Sequence, residues 1–232
     1  MSFVSAIVVA AGKGERLKSK IPKPLFKINK KPVIIYSLEA LNKCSFIKEI
    51  IIVGNSQNIR GITRVIKEYR IDKALWIVQG GLRRQDSVKN GLGIIDNQSE
   101  MVLIHDAARP FIDVKSVSAV IAEAKRSGAA ILGVPVKATV KELRAEGLGL
   151  RAKHIVKRTL DRNRLWEIQT PQVFRKDLIL KAYNRFGDID VTDDAMLVEK
   201  LGAKVSIVPG LYKNIKITTP EDLLIAQAIL KA

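Results

Sequence analysis

Five short apolar runs, separated by segments with helical spacing, constrain this chain more than any other feature. The runs are Ala6 to Ala11, Phe46 to Val53, Leu75 to Gln79, Met101 to His105 and Ala129 to Val136, and each reads as a strand. Pro32 opens a helix patterned by Val33, Ile34, Ser37, Leu38 and Leu41. Residues 58–70 are helical in spacing, and Arg84 to Ile95 carries Val88, Leu92 and Ile95 on one stripe. Asp113 caps a helix with the stripe Val117, Val120, Ile121 and Ala124, closed by Gly128. Such alternation implies right-handed crossovers and an α/β fold: a Rossmann-like, mainly parallel sheet with helices on both faces. Ligands of these sheets bind beyond the carboxyl ends of strands. The polar segments 12–23, 80–87 and 106–110 each follow a strand, so they should meet at one edge.

From Lys137 the pattern changes. Lys137 to Arg144 and Arg151 to Arg158 are polar segments around Glu146-Gly147-Leu148-Gly149, which reads as a β-hairpin. Residues 137–160 thus form a protruding arm too poor in apolar residues to have its own core. A lone two-stranded arm is marginal, so packing against a second subunit is its natural support, and a homodimer is expected. The α/β pattern then resumes. Helices are expected at 175–184 and 193–201, the second capped by Thr192, and strands at Val205 to Val208 and Lys213 to Ile217. The last helix opens with Thr219-Pro220-Glu221-Asp222: a cap, a first-turn proline and carboxylates.

At 232 residues and 47% hydrophobic content, the chain suits one domain over 1–232. No run approaches roughly 18 apolar residues, so no membrane span is expected. A single cysteine, Cys44, excludes an internal disulfide and fits the cytoplasm. The net charge of +17 admits nucleic acid or phosphorylated small molecules as partners. Its cations are scattered rather than gathered in a tail. Aromatic residues are only 5%, few stacking platforms for a single strand, and no nucleic-acid recognition motif occurs.

The loop after the first strand holds Gly12, Gly14, Glu15, Arg16, Lys18, Lys20 and Lys23. A strand running into a glycine loop presents successive backbone N–H groups to oxyanions, and nearby cations would neutralise a polyphosphate. A Rossmann fingerprint fails because Leu17 stands at the third glycine position, and no Walker A spacing occurs. What remains resembles the loop of nucleotidyltransferases that act on sugar or polyol phosphates.

Seven stretches sharpen that resemblance: Ala10-Ala11-Gly12-x-Gly14-x-Arg16; Pro22-Lys23; Gly80-Gly81-x-x-Arg84-x-x-Ser87-Val88-x-x-Gly91-Leu92; Val102 through Pro110; Thr159-Leu160-Asp161-Arg162-Asn163-x-Leu165-Trp166; Thr170-Pro171-Gln172; and Asn214-Ile215-Lys216-x-Thr218-x-Pro220-Glu221-Asp222. Together they resemble the 2-C-methyl-D-erythritol 4-phosphate cytidylyltransferases of isoprenoid precursor biosynthesis, over almost the whole chain. The resemblance implies transfer of CMP from CTP to a polyol phosphate, with Mg²⁺ or another divalent cation and release of pyrophosphate. It implies that Arg16, Lys23 and Lys216 hold the triphosphate and its developing charge. Asp106 would position or bind the metal. Ala10, Ala11, Gly12, Gly80, Gly81 and Ser87 would address cytosine and ribose. Arg109, Arg162, Thr139, Thr170 and Thr192 would address the acceptor, with Thr139 and Arg162 serving the neighbouring subunit across the arm.

Other readings stand beside these. Arg84 is either a site residue or a helix-surface cation, His105 reads as a satisfied histidine, and Asp193 and Asp194 read as first-turn carboxylates. Two positions depart from the family pattern: Ala138 stands where an aspartate is usual, and Pro24 replaces a common glutamine. Ala138 bears on the acceptor, and a sister enzyme of ribitol 5-phosphate would share the CTP loop. The distant alternative, raised by the charge, is a nucleic-acid-binding protein.

Overall fold

The computed structural model describes residues 3–12, 14, 21–146 and 153–231. The first half runs β1 (Phe3–Val9), β2 (Lys27–Ile28), β3 (Lys31–Pro32), α1 (Val33–Lys43), β4 (Ile47–Gly54), α2 (Ile59–Glu68), β5 (Ala74–Gln79) and α3 (Arg84–Leu92). Then come β6 (Ser99–Asp106), α4 (Val114–Ser127), β7 (Ala129–Pro135), and the hairpin β8 (Lys141–Glu146) and β9 (Lys153–Thr159). The chain closes with β10 (Trp166–Arg175), α5 (Lys176–Phe186), α6 (Asp194–Lys200), β11 (Ser206–Pro209) and α7 (Pro220–Ile229).

Seven strands form the central sheet in the order β11-β7-β10-β6-β1-β4-β5. All neighbours are parallel except β10, which runs antiparallel to both β6 and β7. Side-chain alternation divides the core between the two faces, as a strand's period of two requires. Ala6, Val8, Ile50, Ile52 and Leu103 pack with Ile34, Leu38, Ile62, Val117 and Ile121 of α1, α2 and α4. Ile7, Ile51, Val53, Val102 and Ile104 pack with Val88, Leu92, Ile179 and Val198 of α3, α5 and α6. The expected α/β sheet with helices on both faces is therefore present, and α4 is capped by Asp113 and closed at Gly128 (φ +89°) as its sequence implied.

Two expectations are corrected, and one strand had not been expected. Residues 166–175 form a ten-residue strand in mid-sheet that the pattern did not reveal. Its Gln169-Thr170-Pro171-Gln172 centre interrupts the apolar run, and a proline argues against a central strand. The ladder to β7 accommodates it by skipping from Ile168 to Gln172. Residues 213–217 are not a strand: Ile217 N–H donates to Ala108 O at 2.8 Å, which ties the segment to the loop after β6 instead of to a sheet edge. The cap of α6 is Asp193, whose carboxylate accepts from Met196 N–H at 3.1 Å, and not Thr192.

The hairpin arm forms as expected, a separate two-stranded sheet. The expected turn around Glu146 to Gly149 falls on residues 147–152, which lie outside the described residues.

Candidate active site

The parallel strands β1, β4, β5 and β6 deliver their carboxyl ends to one edge, and side chains and backbone knit those ends together. Gly80 N–H donates to Gly54 O at 2.7 Å, and Ala107 N–H to Val9 O at 3.0 Å. Asn58 and Asn55 donate side-chain N–H groups to Ala10 O and Ala11 O at 2.8 and 2.9 Å. Ala10 N–H is itself spent on Val53 O at 2.7 Å, so it has no proton to offer a ligand. Gly80 is required here, because a Cβ would stand 2.4 Å from Ala11 Cβ and 2.7 Å from Ser87 Oγ. Ser87 is buried and braces the turn, accepting from Gly81 N–H and lying 3.2 Å from Arg83 O. Gly14 takes φ +69°, with Lys23 beside it: a Cβ at Gly14 would meet Lys23 Cβ at 3.4 Å. A Cβ at Gly12 would meet nothing within 4 Å among the described residues. Arg16 lies outside the described residues.

A cavity of about 240 Å³ opens between β6, β10 and the 192–193 and 214–217 segments, lined by Arg84, Asp106, Arg109, Thr170, Thr192 and Lys216 among others. Asp106 is its hub. Its carboxylate accepts from Arg84 Nε at 2.9 Å and from Lys216 Nζ at 2.7 Å. Burial would raise its pKa, but Arg84 and Lys216 overcome that and hold it well below the usual carboxylate range. Arg84 continues to Asp194, which is buried, at 2.7 Å, and Tyr183 Oη donates to the other Asp194 oxygen at 2.5 Å. Gln172 bridges the remaining wall, donating to Asp193 at 2.8 Å and accepting from Ala195 N–H at 3.2 Å.

Arg109 is only 8% exposed, and its guanidinium donates to two carbonyls, Asn214 O at 2.9 Å and Ile168 O at 3.3 Å. Its Nε is buried without a hydrogen-bond partner among the described residues. Burial lowers its pKa, countered by the more distant Asp106 and Glu167. Asn214 braces this side, donating to Gln169 and to Thr170 O at 3.1 and 3.0 Å.

His105 is structural. Thr170 Oγ1 accepts from Asp106 N–H at 3.0 Å and lies 3.0 Å from His105 Nδ1, while Nε2 lies 3.1 Å from Arg109 O. A carbonyl can only accept, so Nε2 carries the proton and the Thr170 hydroxyl donates to Nδ1. Burial lowers the histidine's pKa to about 4 against the pull of Asp106.

The structure therefore brings Asp106, Arg109, Thr170, Thr192 and Lys216 together, with Lys23 and the glycines along the same edge. It does not bring Arg162 or Thr139 to this cavity: both are exposed at the arm's base, with Arg162 donating to Lys137 O at 2.9 Å. Arg84 and Asp194 carry more of the site than their local sequence suggested. Their partnership spans 110 residues, so only the glycine-turn motif around Arg84 signalled it. A larger hollow of about 650 Å³, lined by Ser99, Met101, Arg175 and Lys176, lies at the opposite sheet edge, where β6 begins and β10 ends. None of the converging loops reaches it.

Among the described residues no cluster of three or more metal-ligating side chains exists. Asp106 is the carboxylate on the cavity with no helix to cap, and both its oxygens already accept from cations. That donor set fits a divalent ion carried in by phosphate oxygens and water, not one held by the protein alone.

Comparisons with known proteins point to one family. The family model described as 2-C-methyl-D-erythritol 4-phosphate cytidylyltransferase matches residues 4–232. A relative of that name from Syntrophus aciditrophicus is 46% identical over 231 residues, covering 98% of this chain and 96% of the relative. The crystal structure of 4-diphosphocytidyl-2C-methyl-D-erythritol synthase from Anaerococcus prevotii superposes with a TM-score of 0.84 at 33% identity, covering 100% of this chain and 97% of that one. The Thermus thermophilus 2-C-methyl-D-erythritol 4-phosphate cytidylyltransferase gives 0.76 at 29% identity, with both chains covered completely.

Proposed function

This chain belongs to the 2-C-methyl-D-erythritol 4-phosphate cytidylyltransferase family, and from that premise we propose how its residues divide the work. The enzyme transfers CMP from CTP to 2-C-methyl-D-erythritol 4-phosphate, giving 4-diphosphocytidyl-2-C-methyl-D-erythritol and pyrophosphate for isoprenoid synthesis. An acceptor phosphate oxygen bonds to the α-phosphorus as the bond from that phosphorus to the bridging oxygen of pyrophosphate breaks. The phosphate is already a nucleophilic anion, so positioning and charge neutralisation matter more than a general base.

The carrying observation is the cavity's charge arrangement. Arg84 and Lys216 are aimed by Asp106, and buried Arg109 donates to two carbonyls, its hydrogen-bond partners among the described residues. In the reading proposed here, Arg109 takes the acceptor phosphate, since a guanidinium fork suits an anion. Thr192 takes acceptor hydroxyls, and Thr170 holds Asp106 and His105 in place. Lys216 and Lys23, with Arg16, neutralise charge at the α-phosphorus. Ala11, Gly12 and the Gly80-Gly81 turn address the nucleotide, and Ser87 shapes that turn. Mg²⁺, when bound with CTP, would offset triphosphate charge, with Asp106 ordering the cations around it.

The arm supports a homodimer in the same reading. Leu143 and Val156 face each other across β8 and β9 and are 50% and 52% exposed. Arg162 and Thr139 at its base would complete the partner's site. One buried, reduced cysteine suits the cytoplasm.

Steady-state kinetics test the division. Lys23→Ala should lower kcat by about 100-fold or more, the scale for losing a charge-stabilising group, while leaving folding intact. Arg109→Ala should chiefly raise the acceptor KM. A CTP-only effect in Arg109→Ala, or normal turnover in Lys23→Ala, contradicts the assignment.

A further inference from the structure

The cavity wall bearing Thr192 and Asp193 follows a loop, residues 187–190, whose last three residues are exposed. Two side chains at the start of α3 reach across to that loop. Gln85 is 5% exposed, and its amide donates to Gly187 O at 2.8 Å and Ile189 O at 2.6 Å. Arg83 donates to Asp188 O at 3.0 Å and pairs with Asp190 at 3.2 Å. Asp86 steadies Arg83, accepting from its guanidinium at 2.8 Å and its N–H at 2.9 Å.

The helix does not need these reaches, since Asp86 already caps its first turn. A buried carboxamide spending both protons on carbonyls more than 100 residues away serves the distant loop. Residues on either side, Arg84 and Ser87, stand at the acceptor cavity and the nucleotide turn. We propose that Gln85, seconded by Arg83, is a positioning residue for the acceptor: it fixes Thr192 and Asp193 relative to Arg84 and Asp106. This rests on the assignment of the cavity to the acceptor.

The test is the split between the two Michaelis constants in Gln85→Met, which keeps length but has no amide protons. The acceptor KM should rise about tenfold, the scale of losing well-made hydrogen bonds, with the CTP KM unchanged. An unchanged acceptor KM, or an equal rise in both, overturns the proposal. Should that variant not fold, Arg83→Ala should raise the acceptor KM and Arg83→Lys, which can still pair with Asp190, should restore part of the loss; no difference between them overturns it. Arg109→Ala run in parallel separates the two claims. If it leaves the acceptor KM unchanged, the cavity assignment fails; if it raises it while Gln85→Met does not, only the positioning claim fails.

Discussion

His105 illustrates how a residue beside the candidate site can have both ring nitrogens taken up by the protein itself. Its imidazole is buried and neutral, with a folded pKa of about 4 against an ordinary value near 6.5. The unfolded chain therefore takes up a proton between those values and the folded one does not. Stability from this residue is complete above about pH 6.5 and is lost as pH falls toward 4, by about 3 kcal/mol. Asp106 has its folded pKa lowered, so its contribution persists above the unfolded carboxylate value and fades only in stronger acid. Denaturant titrations at pH 7 and pH 4.5 should show a drop in wild type that His105→Gln largely removes; an equal drop in both would assign the sensitivity elsewhere. Arg109 is the converse case, a buried cation whose desolvation costs stability and whose charge the proposed reading assigns to the acceptor phosphate. The sequence marked both residues through one motif, His-Asp-Ala-Ala-Arg-Pro, and set them apart as a satisfied histidine and an acceptor residue, but it did not show the contacts that hold them. Those depend on Thr170 and Asn214, more than 60 residues away.

Among the elements, the parallel strands were legible because each is a compact apolar run that ends in glycine or charge. Strand β10 was not, since its buried polar side chains serve the cavity: Thr170 supports Asp106, and Gln172 supports Asp193. Residues 213–217 misled in the opposite sense, their Ile215 and Ile217 resembling a strand while Asn214 and Lys216 turn to the site. The functional edge thus sits where local patterning and tertiary demand disagree. The arm was legible from its lack of apolar residues. Its exposed Leu143–Val156 pair predicts that Leu143→Asp with Val156→Asp will sediment as a monomer with an unchanged circular dichroism spectrum, where wild type sediments as a dimer. A wild-type monomer would remove the arm from any assembly role.

For the whole molecule, the +17 charge does not by itself call for nucleic acid, because CTP and a phosphorylated acceptor are both anions drawn toward a positive field. Arg60, Arg64 and Lys67 follow helical spacing along the outer face of α2 and are exposed, so part of that charge is a solvated face. Among the described residues no helix is long and apolar enough to cross a membrane. The sheet supplies the edge, and in the proposed division β1 and β5 carry the nucleotide side and β6, β10 and the 192–216 region the acceptor side. Ala138 sets the remaining question of acceptor choice, since it is exposed at the arm's base. The decisive measurement is pyrophosphate release with CTP and Mg²⁺, using 2-C-methyl-D-erythritol 4-phosphate in one series and ribitol 5-phosphate in another. Release with the first acceptor and none above background with the second is the predicted result. Equal release with both, or release with ribitol 5-phosphate alone, would contradict the account of the acceptor cavity.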